Sequence, residues 1–363
     1  MSAHLVVAGY YGCGNLGDDA ILLGFLNGLQ RSHADVTVLS GDPEMTTRMY
    51  GVRSIARKDL ATFKQTMTNA SMLVFAGGSI FQDVTSVRSV AYYSQLVRTA
   101  KSLGKPCIMV GQGIGPLNTF VGKRLAKAAF NSCRTIVVRD PASVATLKSL
   151  GVKCPIETAA DLAFMLPKPA ASSSVESYGV GGMPAVGLAP RPFGKGNDVV
   201  QLFAAIIRKL YENKLMPVLV ELDHKHDGPL IAAIDQACGG KVPSIKNLNT
   251  PMVLQERLAR MEGMIAMRLH AGILAATVGV APTMVSYDPK VSAFAQLLNL
   301  PRAIDVNKAS PDAIVQGFLT MNRDRATWNA KVTQSVEALR TEAAKNVDAI
   351  LKHLPNSEKV GSA

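Results

Sequence analysis

Short apolar runs alternate with longer amphipathic segments along most of this sequence, and the alternation limits the fold more than any other feature. In the first half, the predicted strands are residues 4–8, 36–39, 72–75, 107–110 and 135–138. The helical patterns between them include residues 18–30, 92–103 and 123–132. Strands and helices in strict alternation predict a parallel sheet with helices on both of its faces.

The same alternation starts again in the second half of the chain. The strands predicted there are residues 185–189, 217–221, 264–267 and 283–286. Residues 168–182, KPAASSSVESYGVGG, have no periodicity and the composition of a linker. We therefore predict an α/β protein with two Rossmann-like parallel-sheet domains, residues 1–167 and 183–310, joined by the linker 168–182 and facing a cleft. Residues 311–363 are predicted to form a helical tail.

Composition narrows the classes of partner. The chain carries 39 Lys and Arg against 27 Asp and Glu, a net charge of +12. This surplus favours anionic partners, although a basic cleft and general solubility explain it equally well. Aromatic residues make up only 6% and are not interleaved with basic runs, which argues against nucleic acid. Five scattered cysteines without a CxxC pair, and an N-terminus without a signal-peptide pattern, predict a cytoplasmic protein with reduced thiols and no membrane span.

Residues 12–17, GCGNLG, match the GxGxxG pattern of dinucleotide-binding loops, and Asp42 follows the second strand. Two features argue against that interpretation. Tyr10 and Tyr11 separate the glycines from the strand, and Asp18 and Asp19 open the following helix, where they would repel a pyrophosphate. We expect an uncharged, hydroxyl-rich ligand here, or a tight turn capped by Asp18.

Two more glycine-rich segments are predicted as loops at strand ends: residues 77–79, with Gln82 and Asp83 after them, and residues 111–116, which include Gln112. Glycines let a substrate approach the backbone, and the neighbouring amides and carboxylates can hydrogen-bond sugar hydroxyls. Three such segments in one domain indicate a ligand site.

Cations also follow predicted strands. Arg268 and His270 lie between a strand and a helix, Lys290 follows the next strand, and Arg139 ends a strand of the first domain. Arginine forks match carboxylate and phosphate groups, and histidine exchanges protons near neutral pH. We predict that these four side chains converge on an anion in the cleft. The alternatives are that Arg139 pairs with Asp140 or another acid, and that His270 is a buried structural residue.

Residues 223–227, DHKHD, resemble a metal cluster, but Lys225 opposes a cation and no third ligand is evident. We interpret them as a solvated loop at a strand end, in which Asp227 is a candidate for contact with substrate. No metal is expected.

Seven segments together resemble the polysaccharide pyruvyl transferases, especially those that modify secondary cell-wall polysaccharide. They are GYYGCGNLGDDAIL (9–22), FAGGSIFQD (75–83), GQGIGPL (111–117), VVRDPAS (137–143), AADLAF (159–164), MRLHAGILAA (267–276) and SYDPKVSAF (286–294). The first and the last two are specific, and their order and spacing agree with the family. Asp19 stands where the family commonly has glutamate, and Cys13 where it has an aromatic residue.

The resemblance implies a GT-B glycosyltransferase-like fold, phosphoenolpyruvate as donor and a 4,6-linked pyruvate ketal on a hexose-type sugar. It places donor binding on Arg139, Arg268, His270 and Lys290, with Arg268 and His270 as the catalytic residues. It implies an N-acetylmannosamine acceptor on a lipid-linked precursor, and hence peripheral association with the inner face of the cytoplasmic membrane. No cofactor is expected. The acceptor contacts, chosen from loop position alone, are Asn15, Asp18, Gly77, Gly78, Gln82, Asp83, Gln112 and Arg191.

Three other functions stay open at this point. A GT-B glycosyltransferase would use a nucleotide sugar, a non-catalytic module would bind a sugar phosphate without turnover, and a dehydrogenase would bind NAD(H). The choice of donor distinguishes a glycosyltransferase from a pyruvyl transferase. Binding without turnover would identify a non-catalytic module, and titration with NAD(H) tests for a dehydrogenase.

Overall fold

The structure, a computed structural model, describes residues 3–84, 86–169, 182–194 and 197–354. The chain divides into two compact units. The first comprises Met1–Cys13, Asp18–Pro167 and Leu339–Ala363, and the second comprises Gly14–Gly17 and Lys168–Ala338. The predicted linker lies outside the described residues except for residues 168, 169 and 182. The predicted tail contributes residues 311–338 to the second unit and its remainder to the first.

The first unit is a parallel seven-stranded sheet with helices between its strands. Its elements are β1 (His4–Tyr11), α1 (Leu16–Leu29), β2 (Asp35–Ser40), α2 (Pro43–Tyr50), β3 (Arg53–Ala56), α3 (Leu60–Asn69), β4 (Met72–Phe81), α4 (Val87–Ser102), β5 (Cys107–Ile114), α5 (Phe120–Phe130), β6 (Ile136–Val138), α6 (Pro141–Ser149) and β7 (Ile156–Thr158). The strand order is β3-β2-β1-β4-β5-β6-β7.

Short polar side chains start the helices of the first unit. Asp42, Asp59 and Asp140 each accept a hydrogen bond from a backbone N–H of the helix that they precede, and proline follows at the first helical position of α2 and α6. These caps satisfy donors that have no partner inside a helix, so each strand is followed by a defined turn.

The core of the first unit contains an aromatic group that packs β4 against α4 and α5. The ring centroids of Phe81 and Phe130 are 4.9 Å apart, and Phe75 and Tyr93 each lie within 6.0 Å of Phe81 or of one another. All four side chains are almost completely buried. Edge-to-face and tilted contacts of this kind add to the stabilisation from burial.

The second unit is a parallel six-stranded sheet of the same type. Its elements are β8 (Ala185–Ala189), α7 (Asn197–Glu212), β9 (Met216–Val220), α8 (His224–Ala237), β10 (Ser244–Ile245), α9 (Pro251–Leu258), β11 (Gly263–Ala266), α10 (Leu269–Thr277), β12 (Pro282–Ser286), α11 (Pro289–Leu297), β13 (Ile304–Asp305), α12 (Pro311–Arg323) and the first half of α13 (Arg325–Leu351), whose residues from Leu339 onwards belong to the first unit. The strand order is β10-β9-β8-β11-β12-β13.

Both sheets confirm the predicted fold class, and both reverse their strand order at one point. The reversal lies between β1 and β4 in the first unit and between β8 and β11 in the second. Ligands of open parallel sheets bind beyond the carboxyl ends of strands at such a switch point. The segments that follow these strands are therefore the places to look for a site. Among the described helices, none combines the length with the apolar composition that crossing a bilayer requires.

The prediction that residues 77–79 and 111–113 are loops was wrong. They lie inside β4 and β5, which continue to Phe81 and Ile114 through irregular pairing. Gly77 and Gly78 have φ angles of 72° and 81°, a conformation that residues with a Cβ rarely adopt. The glycines therefore shape a bulge in the sheet, and this local kink interrupted the alternating pattern from which the strands were predicted.

Candidate functional site

Arg268 is held by a buried carboxylate at the carboxyl end of β11. The Asp227 side chain is fully buried, and its Oδ1 accepts hydrogen bonds from Nε of Arg268, at 3.0 Å, and from Nη2. Its Oδ2 accepts from the backbone N–H groups of Leu222 and Asp223, at 3.2 and 3.0 Å. Burial raises the pKa of Asp227, and the Arg268 guanidinium opposes that rise. The arginine fork is thus fixed before any ligand arrives.

Residues 223–227 were predicted as a solvated loop, and this was wrong. Asp223 is the N-cap of α8, and its side chain accepts the N–H of His226 at 3.2 Å. Asp227 lies in the first turn of this helix. An Asp four residues after an Asp N-cap can satisfy N–H groups at the helix start, which is why this charged stretch begins a helix. Among the described residues, no three His, Cys, Asp or Glu side chains are grouped to hold a metal ion.

Arg191 contacts Tyr287, at the edge of the second-unit sheet where Arg268 also lies. Arg191 follows β8 and Tyr287 follows β12, and these strands are the two neighbours of β11. Nη1 of Arg191 donates to the Tyr287 hydroxyl at 2.6 Å, and its guanidinium carbon lies 4.7 Å from the ring centroid. Burial raises the pKa of Tyr287, while Arg191 and Arg268 both oppose the rise. Three adjacent strand ends therefore bring Arg191, Tyr287 and Arg268 together.

Lys290 lies in the first turn of α11, next to the residue that caps it. Asp288 accepts the Lys290 backbone N–H at 3.0 Å, and its Oδ2 lies 3.7 Å from Nζ. Both side chains are about one-third exposed, at 33% and 31%. An ion pair at this distance and exposure contributes little to stability.

His270 lies in the first turn of α10 and packs on the backbone of Gly17. A Cβ added to Gly17 would come within 2.6 Å of Nδ1 of His270 and 2.9 Å of its Cβ. Residues 14–17 are joined to the rest of the second unit by hydrogen bonds from Leu16 N to Leu222 O, at 2.8 Å, and from His224 N to Gly14 O, at 3.2 Å. The segment that resembled a dinucleotide loop is therefore part of the surroundings of His270.

Asn15 and Asp18 have different roles in this segment. The Asn15 side chain accepts the N–H of Gly17 at 2.9 Å and so stabilises its own turn. Asp18, in the first unit, lies over the bulge of β4, because a Cβ on Gly78 would be 3.2 Å from Asp18 Oδ1. The positive φ of Gly78 and the half-buried Asp18 bring a carboxylate close to the buried backbone of β4. A half-buried carboxylate can accept hydrogen bonds from sugar hydroxyls.

Gln112 and Asp83 are used inside the fold. Gln112 is fully buried, and its Nε2 donates to the carbonyls of Phe75, Gly77 and Val110 at 3.2, 2.9 and 3.2 Å. Asp83 accepts the N–H groups of Asn118 and Thr119, at 2.6 and 2.8 Å, and the Thr119 hydroxyl at 2.5 Å.

Burial would raise the pKa of Asp83, but the bonds from Thr119 and Asn118 outweigh it and lower the pKa. The neighbouring Gln82 accepts the Val84 N–H at 2.9 Å. These contacts hold the ends of β4 and β5 in place.

Arg139 is buried in the first unit and pairs with Asp161, and its Nη2 also donates to the Ser79 hydroxyl at 3.1 Å. The side chains of Arg139 and Asp161 are only 8% and 6% exposed. Asp140, a candidate partner from the sequence, caps α6 by accepting the Ser143 N–H at 2.7 Å. Sequence reasoning did not single out Asp161, although the AADLAF segment that contains it was one of the resembling segments.

Asp19 is a buried carboxylate that the sequence did not mark as a site residue. It is 2% exposed and accepts the Gly12 N–H at 2.9 Å. Burial raises its pKa to about 6, and the bond from Gly12 opposes the rise. Asp19 therefore stabilises the turn after β1 through its bond to Gly12. Its raised pKa brings its titration closer to neutral pH than that of an ordinary carboxyl group.

Comparison with known proteins gives one match of sequence and several of structure. The model of the family described as polysaccharide pyruvyl transferase matches residues 15–289. A UDP-N-acetylglucosamine 2-epimerase from Neisseria meningitidis, bound to UDP-N-acetylglucosamine, has a TM-score of 0.63 at 11% identity, covering 97% of this chain and 100% of its own.

Two further solved structures are similar over most of the chain. The trehalose-6-phosphate synthase of Burkholderia multivorans has a TM-score of 0.60 at 10% identity, covering 97% and 98% of the two chains. Anabaena HepE in complex with UDP-glucose has a TM-score of 0.64 at 10% identity, covering 95% and 99%. At these identities the similarity shows the fold alone, and that fold is the GT-B type of glycosyltransferases and sugar epimerases.

Proposed function

Because the chain belongs to the polysaccharide pyruvyl transferase family, we propose that it transfers pyruvate from phosphoenolpyruvate to a sugar of a cell-wall polysaccharide precursor. The acceptor sugar is N-acetylmannosamine, the product is a 4,6-linked pyruvate ketal, and phosphate is released. Membership of the family makes the chain an enzyme of polysaccharide biosynthesis; the donor, the sugar and the linkage are the proposal.

The observation that carries this proposal is the cation group at the switch point of the second unit. Arg268 lies where β11 ends, already oriented by Asp227, and Arg191 lies beside it on Tyr287. The family match spans Arg268 and His270 and ends at residue 289, immediately before Lys290. Phosphoenolpyruvate carries a carboxylate and a phosphate, and guanidinium forks bind both groups in two-point fashion.

The reaction needs one proton transfer to carbon and two new C–O bonds. Protonation of C3 of phosphoenolpyruvate makes C2 electrophilic, and one acceptor hydroxyl attacks C2. The C2–O bond to phosphate then breaks, and the second hydroxyl closes the ketal at C2. Of the two hydroxyl protons, one balances the proton added at C3 and the other leaves with phosphate.

In this scheme His270 moves the proton and the arginines stabilise charge. A positioned general acid–base contributes about 10²–10⁴ in rate. Arg268, held rigid by Asp227, would bind the anion without reorganising, which is what electrostatic stabilisation of a leaving phosphate requires. The resemblance assigns Arg139 of the first unit to donor binding as well. In the present structure its charge is balanced by Asp161.

Product analysis tests the proposed function. The purified chain is incubated with phosphoenolpyruvate and glycosides of N-acetylmannosamine, N-acetylglucosamine and glucose, and the products are examined by mass spectrometry and NMR. A ketal methyl signal on the acceptor, lost on mild acid treatment, is the expected result. Transfer of a hexose from a nucleotide sugar, with no ketal formed, would refute the proposal.

A lipid-linked acceptor would place the enzyme at the inner face of the cytoplasmic membrane. The net charge of +12 suits an anionic leaflet, which attracts basic surfaces over a short distance. Flotation with vesicles of anionic and of zwitterionic lipid tests this part separately. Binding to anionic vesicles that disappears at high salt is expected, and no binding at low salt would remove the membrane association while leaving the chemistry in place.

A further inference from the structure

Arg57, at the carboxyl end of β3, lies among three tyrosine rings. Its guanidinium carbon is 5.0 Å from the ring centroid of Tyr10, 5.1 Å from that of Tyr92 and 5.8 Å from that of Tyr93. We call these four residues, with Cys13, the Arg57 cluster. All five belong to the first unit. Tyr10 and Cys13 lie in the resembling segment 9–22, but neither the sequence motifs nor the resemblance singled out Arg57, Tyr92 or Tyr93.

Hydrogen bonds fix the backbone and one side of the Arg57 guanidinium. The Arg57 N–H donates to Ser40 O at 2.8 Å, and its carbonyl accepts the Tyr92 hydroxyl. Nη2 donates to the Tyr93 hydroxyl at 2.9 Å, and that hydroxyl in turn donates to Gly9 O at 3.1 Å. The arginine is therefore positioned by β1, β2 and α4, which surround it.

No carboxylate in the described part of the chain balances the charge of Arg57. Within the described residues no acid forms an ion pair with it, and the groups that act on it most strongly are Tyr93, Cys13 and Tyr92, which are neutral at pH 7. Aromatic faces attract a cation but do not neutralise it. Arg53, four residues earlier, behaves differently: it is 64% exposed and pairs with Asp35 at 3.1 Å.

The remaining donors of Arg57 have poor protein partners. Among the described residues, the hydrogen-bond acceptor of Nη1 is the Cys13 thiol, at 3.5 Å, and a thiol is a weak acceptor. Nε is buried and donates to no atom of the described residues. Buried donors normally have hydrogen-bond partners. The Nε and Nη1 groups of Arg57 are therefore suited to an acceptor that a ligand supplies. An anion at Nη1 would replace the weak thiol contact.

The neighbourhood of the cluster identifies the kind of ligand. Tyr10 and Tyr92 are partly exposed and lie next to the cation. Burial is the main cause that raises the pKa of Tyr93, and Arg57 opposes the rise. Tyrosine rings and hydroxyls suit a sugar, and a guanidinium without a carboxylate partner among the described residues suits a phosphate ester.

We infer that the Arg57 cluster binds the phosphate ester of a phosphorylated acceptor saccharide, with the sugar next to the rings of Tyr10 and Tyr92. This inference rests on the proposed function, because it identifies the acceptor as an anionic saccharide. Arg57 is a binding residue here and takes no part in the chemistry of the donor.

Equilibrium binding to the whole chain tests the site without turnover. The probes are N-acetylmannosamine 1-phosphate, methyl N-acetylmannosaminide and inorganic phosphate, measured by calorimetry with wild type, Arg57→Gln and Arg53→Gln. One charge-assisted contact corresponds to roughly 10-fold in affinity. Wild type and Arg53→Gln should bind the sugar phosphate about 10-fold more tightly than the methyl glycoside, and Arg57→Gln should bind both equally.

Arg57→Lys serves as the second variant if Arg57→Gln does not fold. It keeps the charge and loses the fork, so the preference for the phosphorylated sugar should fall by about 3-fold. Equal preference in wild type and both Arg57 variants would overturn the inference. Inorganic phosphate that binds as tightly as the sugar phosphate, in an Arg57-dependent way, would also overturn it, because the site would then hold free phosphate.

Kinetics separates this inference from the proposed function. With phosphoenolpyruvate present, phosphate release should show a lower KM for phosphorylated acceptors than for neutral ones. Arg57→Gln should raise the KM for phosphorylated acceptors and leave the KM for neutral acceptors unchanged. If wild type and Arg57→Gln release phosphate with the same KM for both acceptors, the acceptor site is wrong and pyruvyl transfer stands. If the sugar phosphate binds through Arg57 but no acceptor supports ketal formation, the site stands and the proposed function fails.

Discussion

The Asp227 carboxylate is fully buried and accepts two hydrogen bonds from Arg268 and two from backbone N–H groups. One acidic side chain thus connects the turn after β9 to the cation after β11. A buried charge pair of this kind is sensitive to the loss of either partner, because the remaining charge is left without compensation. Asp227 is therefore a positioning residue for the proposed donor site.

Asp227→Asn should lower both stability and donor affinity. The amide keeps the volume but offers donors where N–H groups already point, so we expect a loss of about 3 kcal/mol in the free energy of unfolding. Urea titration measures this, and the KM for phosphoenolpyruvate should rise in parallel. Asp235→Asn on the same helix, where the carboxylate accepts only the Val242 N–H, is the matched control and should cost about 1 kcal/mol. Equal effects of the two variants would contradict the positioning role.

Arg191→Gln should impair the donor and leave the acceptor unaffected. The sequence placed Arg191 among the acceptor contacts; because its guanidinium lies on Tyr287 and it follows the strand next to that of Arg268, we expect it to contact the donor instead. Loss of one charged contact should raise the KM for phosphoenolpyruvate about 10-fold. Steady-state kinetics with each substrate varied in turn decides the matter, with Arg208→Gln on α7 as control. A raised KM for the acceptor alone would restore the original assignment.

The two sheets were predictable from sequence because alternation of apolar runs and helical patterns is a local signal. The bulges in β4 and β5 were not, since Gly77 and Gly111 look like loop residues and the strands resume only through pairing with distant residues. The start of α8 was missed because DHKHD is polar, which is typical of a loop, although Asp223 caps the helix. The buried contact of Asp227 with Arg268, 41 residues away, could not be predicted from a local pattern.

The candidate site was predictable only in its residue types. Arg268, His270 and Lys290 could be found because each follows a predicted strand, and parallel strands end on the same edge of a sheet. The acidic partners of Arg139 and Arg268 could not be found in this way, because three-dimensional packing brings Asp161 and Asp227 to these arginines. The same holds for Arg57, whose tyrosines come from β1 and α4. The donor roles of the four predicted cations stay predictions.

Gly17→Ala should reduce turnover by displacing His270. The added methyl group would lie 2.6 Å from Nδ1 and 2.9 Å from Cβ of His270, so the imidazole would have to move as a whole. His270→Ala itself should lower kcat by about 10²–10⁴ with little change in the KM for phosphoenolpyruvate. If Gly17 acts through the His270 imidazole, the Gly17→Ala change should have a much smaller effect in the His270→Ala background, where only the contact with Cβ remains. Additive losses in the double variant would show that it acts elsewhere.

Asp19 should make the native state less stable as the pH rises from about 4 to about 6. Its folded pKa is raised to about 6 by burial, above the value in the unfolded chain, so the stabilising contribution is present in the protonated form and is lost as the proton leaves. At 1.36 kcal/mol for each pKa unit, the change is about 3 kcal/mol.

Asp19→Asn keeps an oxygen for the Gly12 N–H and cannot titrate. Urea unfolding of both proteins between pH 4 and pH 7.5 should therefore show a stability difference that moves in favour of the variant as the pH rises. A difference that does not change with pH would mean that the Asp19 carboxyl titrates as it does in the unfolded chain.

The most direct measurement of the central claim is phosphate release from phosphoenolpyruvate, followed with and without a phosphorylated N-acetylmannosamine acceptor. The account predicts one phosphate for each ketal formed, none without acceptor, and a rate that falls sharply in His270→Ala and Arg268→Gln. Phosphate release that does not depend on the acceptor, or ketal formation that survives both substitutions at the wild-type rate, would contradict it.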